Sequence, residues 1–373
     1  MSIEDSNITI WSASSHAVPS ADLFRSVGVT LETSDVGVCW SNGNLTALST
    51  LSPRLVTRFG GGSGERLLAE LSDPAGRLRA QMVNGLAGEA LHVDPSLAAV
   101  LTSIEDPQRA VTATSIYNEW IAGFVAADPG HFAGIGLIPA TGIDDALTAL
   151  RSAQASGLRG VTLLHPPGGP GTPPGGEALE FWELAAAGGT VVCLNAAFGG
   201  IVPDITPRIA AGEAPPVAGF LPRLAFSGVP DRARSLKLML VNVEAGWLPH
   251  ALQNADLNYL RAAASRAVQL SDPDALPSEC VRRILWASFH EDRYAVLHRD
   301  YFGEHHLLWG SAIPTDDATW PDDEEQASRI TAGLAHDTRR RLLSENAMRL
   351  FGIGEAAPFT QDEVSRFRLA ALR

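Results

Sequence analysis

The sequence predicts an α/β protein folded as a single (β/α)8 TIM barrel, with extended loops over its C-terminal mouth. Three observations predict it. Eight short runs are largely apolar rather than alternating, as strands buried on both faces of a parallel sheet must be. Helical patterns fall between them, so that strand and helix alternate over roughly 300 residues, which favours one closed barrel over two domains. Long Gly- and Pro-rich stretches follow several of the strands, on the side where such a barrel carries its chemistry.

Taken in order, the predicted strands are Ile8–Ser12, Glu89–Val93, Ala133–Ile138, Gly160–Leu164, Thr190–Leu194, Leu238–Val243, Ile284–Phe289 and His306–Gly310. The helix Ser115–Ala127 sets Ile116, Trp120, Ile121 and Phe124 at helical spacing, and Ile143–Ala155 ends at a Gly157 stop signal. Further helices are expected at Ala178–Ala187, Leu248–Val268, Arg293–Phe302 and within 337–373. Three stretches break the repeat. Residues 41–65 are rich in Gly, Ser and Asn and are expected to insert over the mouth. Residues 165–176 read HPPGGPGTPPGG, which neither helix nor strand tolerates, and 195–228 carry further Pro and Gly around an apolar segment, Val217–Phe226. Long loops on that face shape a pocket or a lid. The whole chain, 1–373, is read as one domain.

Bulk properties narrow the partners. A formal charge of −14 argues against nucleic acid and anionic membranes. No run reaches the ~20 apolar residues that cross a bilayer, and no charged-then-apolar leader precedes the first strand. Cys39, Cys193 and Cys280 are too widely spaced for a disulfide framework or a zinc ribbon, so a reducing cytoplasm is expected. The expected partner is a small-molecule substrate.

Several segments carry a family resemblance. They are YNEWIAGFVAADPGHFAGIGLIP (Tyr117–Pro139), GLRGVTL (Gly157–Leu163), FSGVPDRARSLKLMLVNVEAGWLP (Phe226–Pro249), ILWASFHEDR (Ile284–Arg293), LLWGSAIPTDDATWP (Leu307–Pro321) and ENAMRLFGI (Glu345–Ile353). In this order they resemble the amidohydrolase-related family that includes aminocarboxymuconate-semialdehyde decarboxylase and the resorcylate-type decarboxylases. The resemblance implies a divalent metal at the strand ends and a dimer; a homodimer is expected, with a mixed dimer with an active paralogue as the alternative if the chain is non-catalytic. It also exposes losses. Ser14 stands where the first strand's carboxylate is expected, and His16 remains. Asn195 replaces a His, and Glu244 matches one subgroup. Ala312 replaces the Asp that serves as ligand and base, and Thr315 the His that follows.

A catalytic zinc takes at least three protein ligands of about four, and this set offers too few. No cofactor is therefore expected. The alternative is one weakly held Zn or Mn ion, rebuilt with Asp94, Asp316 or Asp317. The expected catalytic residues are His16 and Glu244, as a hydrogen-bonded pair, together with His290. His165, Asn195 and Trp320 are expected at the substrate, with Arg54, Arg58 and Arg293 as possible carboxylate anchors. Bland readings compete: His165 as a loop residue, His290–Asp292 as a helix cap, and Cys193 as an inert buried thiol. GGGSG (Gly60–Gly64) lacks the buried strand that a nucleophile elbow requires. Proton-transfer chemistry on a small carboxylated or conjugated carbonyl compound is the leading function. A metal-dependent decarboxylase or hydrolase with rearranged ligands, and a non-catalytic partner of a paralogue, are the alternatives.

Overall fold

A computed structural model describes residues 8–34, 37–52, 63–200, 215–263, 270, 272 and 274–354. Arg54, Arg58, most of Gly60–Gly64, residues 201–214 and the chain beyond 354 lie outside the described residues. The central sheet has eight strands, parallel wherever neighbours pair, which lie side by side in the order that follows. They are β1 Ile10–Ala17, β5 Leu86–Val93, β6 Phe132–Leu137, β7 Gly160–Leu163, β8 Val191–Leu194, β9 Lys237–Leu240, β10 Leu285–Phe289 and β11 Leu307–Trp309. The outermost strands meet just beyond β11, where Ala312 N–H donates to Ser14 O and His16 N–H to Ile313 O, each at 2.8 Å. Closure of this kind removes the exposed edges of an open sheet. The eight predicted strands correspond one to one with these.

Two differences have physical causes. β1 was expected to stop at Ser12 but runs on through Ser14, Ser15 and His16. A register shift between Ser12 and Ser15 and partners for two of the three hydroxyls make this possible: Ser12 Oγ meets Ser15 Oγ at 2.9 Å, and Ser15 Oγ donates to Glu89 Oε1 at 3.0 Å. Apolar content alone could not foresee a strand in which Ser12 and Ser15 are satisfied from the side.

Within the expected insertion at 41–65, the described residues up to 52 include the end of an antiparallel meander: β2 Thr30–Ser34, β3 Gly37–Ser41 and β4 Thr46–Thr50. Gly37 is required here, because a Cβ would run into Ser49 O of the neighbouring strand. The meander reaches the mouth: Leu51 bridges Thr315, and Ser52 N–H donates to Pro314 O.

Two of the three apolar clusters among the described residues build the barrel; the third is small and joins Tyr259, Leu270 and Cys280. Of the first two, the larger packs the outward residues of the strands against the surrounding helices. The smaller joins Trp11, Ala13, Ala90, Ile135, Cys193, Met239, Val241, Trp286 and Leu308 from alternate strand positions with Ala347, Leu350 and Phe351. Its helix, Asn346–Phe351, sits under the strand starts, where Asn346 Nδ2 donates to Leu307 O and Lys237 Nζ to Leu350 O. Trp286 and Trp309 belong to these clusters rather than to a pocket lining. Burial pushes the Cys193 thiol upward, which leaves it inert. Among the described residues, no helix is long and apolar enough to cross a membrane.

One buried ion pair ties helix Pro74–Val83 to the barrel. Arg77 donates to both oxygens of Glu89, at 2.7 and 3.1 Å, and to His16 O at 3.0 Å, while Gln81 Nε2 adds a bond of 2.9 Å to Glu89. Both side chains are almost wholly buried. Arg77→Ala is expected to cost about 3–5 kcal/mol, since it strands a buried carboxylate. A paired Arg77→Met, Glu89→Leu replacement should recover most of that loss. Urea unfolding of both variants tests this, and equal losses would refute it.

Candidate active site at the barrel mouth

The strand ends bring His16, Asn242, Glu244, His290 and Ala312 to the mouth. His16 is 2% exposed and lies on β1. Its ring Nε2 lies 2.5 Å from Asn242 Nδ2, and the ring also meets the Val93 backbone. Burial lowers the His16 pKa against the opposing charges of Asp94 and Asp317. Asn242 follows β9, and its own N–H donates to Ser288 Oγ at 3.1 Å.

His290 follows β10 directly. Its ring Nδ1 donates to Glu244 Oε1 at 3.1 Å and its main-chain N–H to Glu244 Oε2 at 3.2 Å. Burial would lower the His290 pKa, but the Glu244 charge and hydrogen bond, helped by Asp317 and Asp323, raise it to about 9. The imidazole is therefore held as a cation at neutral pH. Its Nε2 is buried and unpartnered among the described residues, while the Glu244 side chain is 42% exposed. The expected His16–Glu244 pair is thus not formed. Glu244 meets His290, and Asn242 meets His16, because the backbone at both 242 and 244 turns left-handed (φ 52° each) and sends the two side chains to different neighbours.

The remaining predicted residues are placed as follows. Ser14 is buried against Gly310, where any Cβ would collide with its Oγ. Ala312 is fully buried at φ 56°, and its carbonyl accepts from Thr315 Oγ1 at 2.7 Å. Asn195 is buried at the end of β8, where its Oδ1 accepts from Ala197 N at 3.0 Å in a local turn. His165 lies over Gly200, where a Cβ would come within 2.7 Å of its ring, and half-burial lowers its pKa. Trp320 is buried in the main apolar cluster. Asp94 accepts from Ser96 N, Leu97 N and Ser49 Oγ, capping helix Pro95–Thr102. Asp292 caps helix Arg293–Leu297 through Ala295 N and also accepts from Ala245 N and Gly246 N. Asp317 is exposed and accepts from Thr315 Oγ1.

With this geometry established, comparison with known proteins identifies the family. The amidohydrolase family model matches residues 56–353. The chain belongs to the amidohydrolase family. Its fold is shared with 5-carboxyvanillate decarboxylase from Sphingomonas paucimobilis (TM-score 0.67, 19% identity, 93% of this chain and 100% of that one). An amidohydrolase from Mycobacterium avium subsp. paratuberculosis K-10 superposes at TM-score 0.70 with 13% identity, over 94% of this chain and 100% of that one. Dihydroxybenzoic acid decarboxylase from Polaromonas sp. JS666, solved with manganese and 2-nitroresorcinol, gives 0.64 and 17%, over 94% and 100%. No curated protein sequence matches the chain.

Three residues of this amidohydrolase barrel escaped the sequence reading. Asn242 is one. His92 pairs in register with His16, donates from Nε2 to Ala13 O at 3.0 Å, and is driven by burial to a pKa of about 3, so it stays neutral. Its place two residues before Asp94, on the inward parity of Ala90, was the available signal. Asp323 is fully buried and accepts from Ser311 Oγ at 2.7 Å, from Thr319 Oγ1 at 2.5 Å and from Asn84 Nδ2. It holds the turn after β11 against the Asn84 helix end.

Burial outweighs those donors and raises Asp323 from 3.8 to about 7. The folded state therefore binds the proton more tightly than the unfolded chain. The stability linked to this carboxyl is fully present below about pH 4 and declines as pH rises toward 7, by up to about 4 kcal/mol. Urea unfolding across that window should show a decline that Asp323→Asn removes. The same pH slope in both proteins would exclude the assignment.

Proposed function

We propose that this amidohydrolase-family barrel is an acid/base enzyme of the lyase type that needs no resident metal. It acts on a small carboxylated or conjugated carbonyl compound by decarboxylation, or by the related dehydration, isomerisation or cyclisation. The observation that carries this reading is the Glu244–His290 pair, in which a half-exposed carboxylate holds a buried imidazolium whose Nε2 is free. Loss of carbon dioxide leaves an electron pair on carbon. His290 Nε2 supplies the proton that this carbon takes up, and Glu244 stabilises the imidazolium before transfer and links the ring to solvent for reloading. Decarboxylation comes first because two of the solved relatives are decarboxylases by name.

The donor chemistry supports the metal-free part. Both Glu244 oxygens are engaged by His290, His16 Nε2 by Asn242, and Asn195 Oδ1 by Ala197. Ala312 has no donor atom to offer. The residues present do not fit a divalent ion, which requires several convergent ligands. The manganese bound in the Polaromonas relative favours a second reading, a metal-dependent decarboxylase with rearranged ligands. The charge of −14 and the three free thiols support a cytoplasmic protein with a small-molecule substrate. Assembly as a homodimer belongs to the same proposal.

Carbon dioxide release from a panel of small aromatic and conjugated acids tests the reading. His290→Gln should lower kcat by about 10²–10⁴-fold, Glu244→Gln should lower it less, and both should melt close to the parent. Activity should survive exhaustive chelation. Loss on chelation with recovery on added manganese would replace this reading with the second.

A further inference from the structure

Asp292 joins two segments of the barrel mouth. Its Oδ1 accepts from Ala295 N–H at 2.9 Å, which caps helix Arg293–Leu297. Its Oδ2 accepts from Ala245 N–H at 2.9 Å and from Gly246 N–H at 2.6 Å, in the turn that follows β9. A helix cap needs only the first oxygen. The second ties the turn that carries Glu244 to the segment that carries His290. The approach is close: a Cβ on Gly246 would lie 2.8 Å from Asp292 Oδ1 and 2.8 Å from Tyr294 Cβ. Two other holds act on the backbone of this turn. Ser288 Oγ accepts from Asn242 N–H, and Trp247 Nε1 donates to Val243 O and Glu244 O at 2.9 and 3.1 Å. The Glu244 side chain itself is 42% exposed, so packing does little to aim it. Its direction comes from a backbone held at φ 52°, which a residue with a Cβ keeps only where its surroundings impose it.

We propose that Asp292 is a positioning residue that keeps Glu244 against His290. One carboxylate fixes both backbone segments, and from there Glu244 reaches His290 N–H at 3.2 Å and Nδ1 at 3.1 Å. Without Oδ2 the turn relaxes, and the half-exposed Glu244 side chain regains its rotamer freedom in water. This rests on the acid/base reading above, in which the Glu244–His290 pair handles the proton. Asp292 acts through Glu244 and not on the substrate.

The test is residue-resolved amide hydrogen exchange of the full chain, followed by NMR. Asp292→Ser keeps a hydroxyl that can cap Ala295 N–H and removes the second oxygen. Exchange should quicken about tenfold at Ala245, Gly246 and His290, the effect of losing one hydrogen bond to a charged group, while Ala295 keeps its rate. A His290 amide that keeps its rate would overturn the proposal, and so would equal quickening throughout the barrel strands. If Asp292→Ser fails to fold, Gly246→Ala is measured in its place, because its methyl group wedges the turn away from Asp292; an unchanged His290 rate there overturns the proposal equally. In the active enzyme, Asp292→Ser should lower kcat with KM close to the parent value. Added to Glu244→Gln it should cost nothing more, whereas multiplied losses would mark a separate structural role and overturn the proposal. Exchange does not depend on turnover. A quickened His290 amide in a protein without activity would count against the proposed function alone, and unaltered exchange in an active enzyme against Asp292 alone.

Discussion

Glu89 carries a charge out of reach of water, and the arrangement around it is the constraint on which the rest of the mouth depends. An isolated buried carboxylate would neutralise or unfold the chain. Here Arg77, Gln81 and Ser15 supply four hydrogen bonds to it. The consequences spread along β1. Ser15 is held by Glu89 and meets Ser12, Ser12 Oγ accepts from Ser311 N–H, and Ser311 Oγ donates to Asp323. The same Arg77 fixes the His16 carbonyl. One satisfied carboxylate thereby sets the path of β1, the seam with the turn after β11, and the anchor of a site imidazole.

Backbone strain is concentrated at the same end of the barrel. Asn242, Glu244 and Ala312 are the non-glycine residues with positive φ among the described residues, and all three follow strands whose ends form the mouth. Such conformations cost of order 1–3 kcal/mol each and persist where surrounding contacts over-determine them. The contacts here are specific: Ser288 Oγ on Asn242 N–H, His290 on the Glu244 carboxylate, and Ser14 O on Ala312 N–H. Strain at 242 and 244 separates two neighbouring polar side chains and gives each its own histidine. The result is one neutral ring and one charged ring in a single site, a division of labour that acid/base chemistry uses.

Much of this molecule was determined by its sequence alone. Apolar runs buried on both faces leave a parallel barrel as the economical fold, and the strand-end positions of His16, Glu244, His290 and Ala312 follow from counting along each run. The missing carboxylate and aspartate at 14 and 312 are likewise chemical facts of the chain. What only the tertiary structure decided is which of these groups meet. Pairing across a barrel depends on register, on the sign of φ at single residues and on side chains arriving from elements far apart in sequence, and local pattern encodes none of these. Asn242 is read as an ordinary polar loop residue until a left-handed turn aims it at His16, 226 positions away. β1 is read as ending at Ser12 until Glu89 and Arg77, brought in by β5 and the helix before it, satisfy the Ser15 hydroxyl and the His16 carbonyl. Burial drives these outcomes, because a polar atom removed from water must find its partner wherever the fold places one.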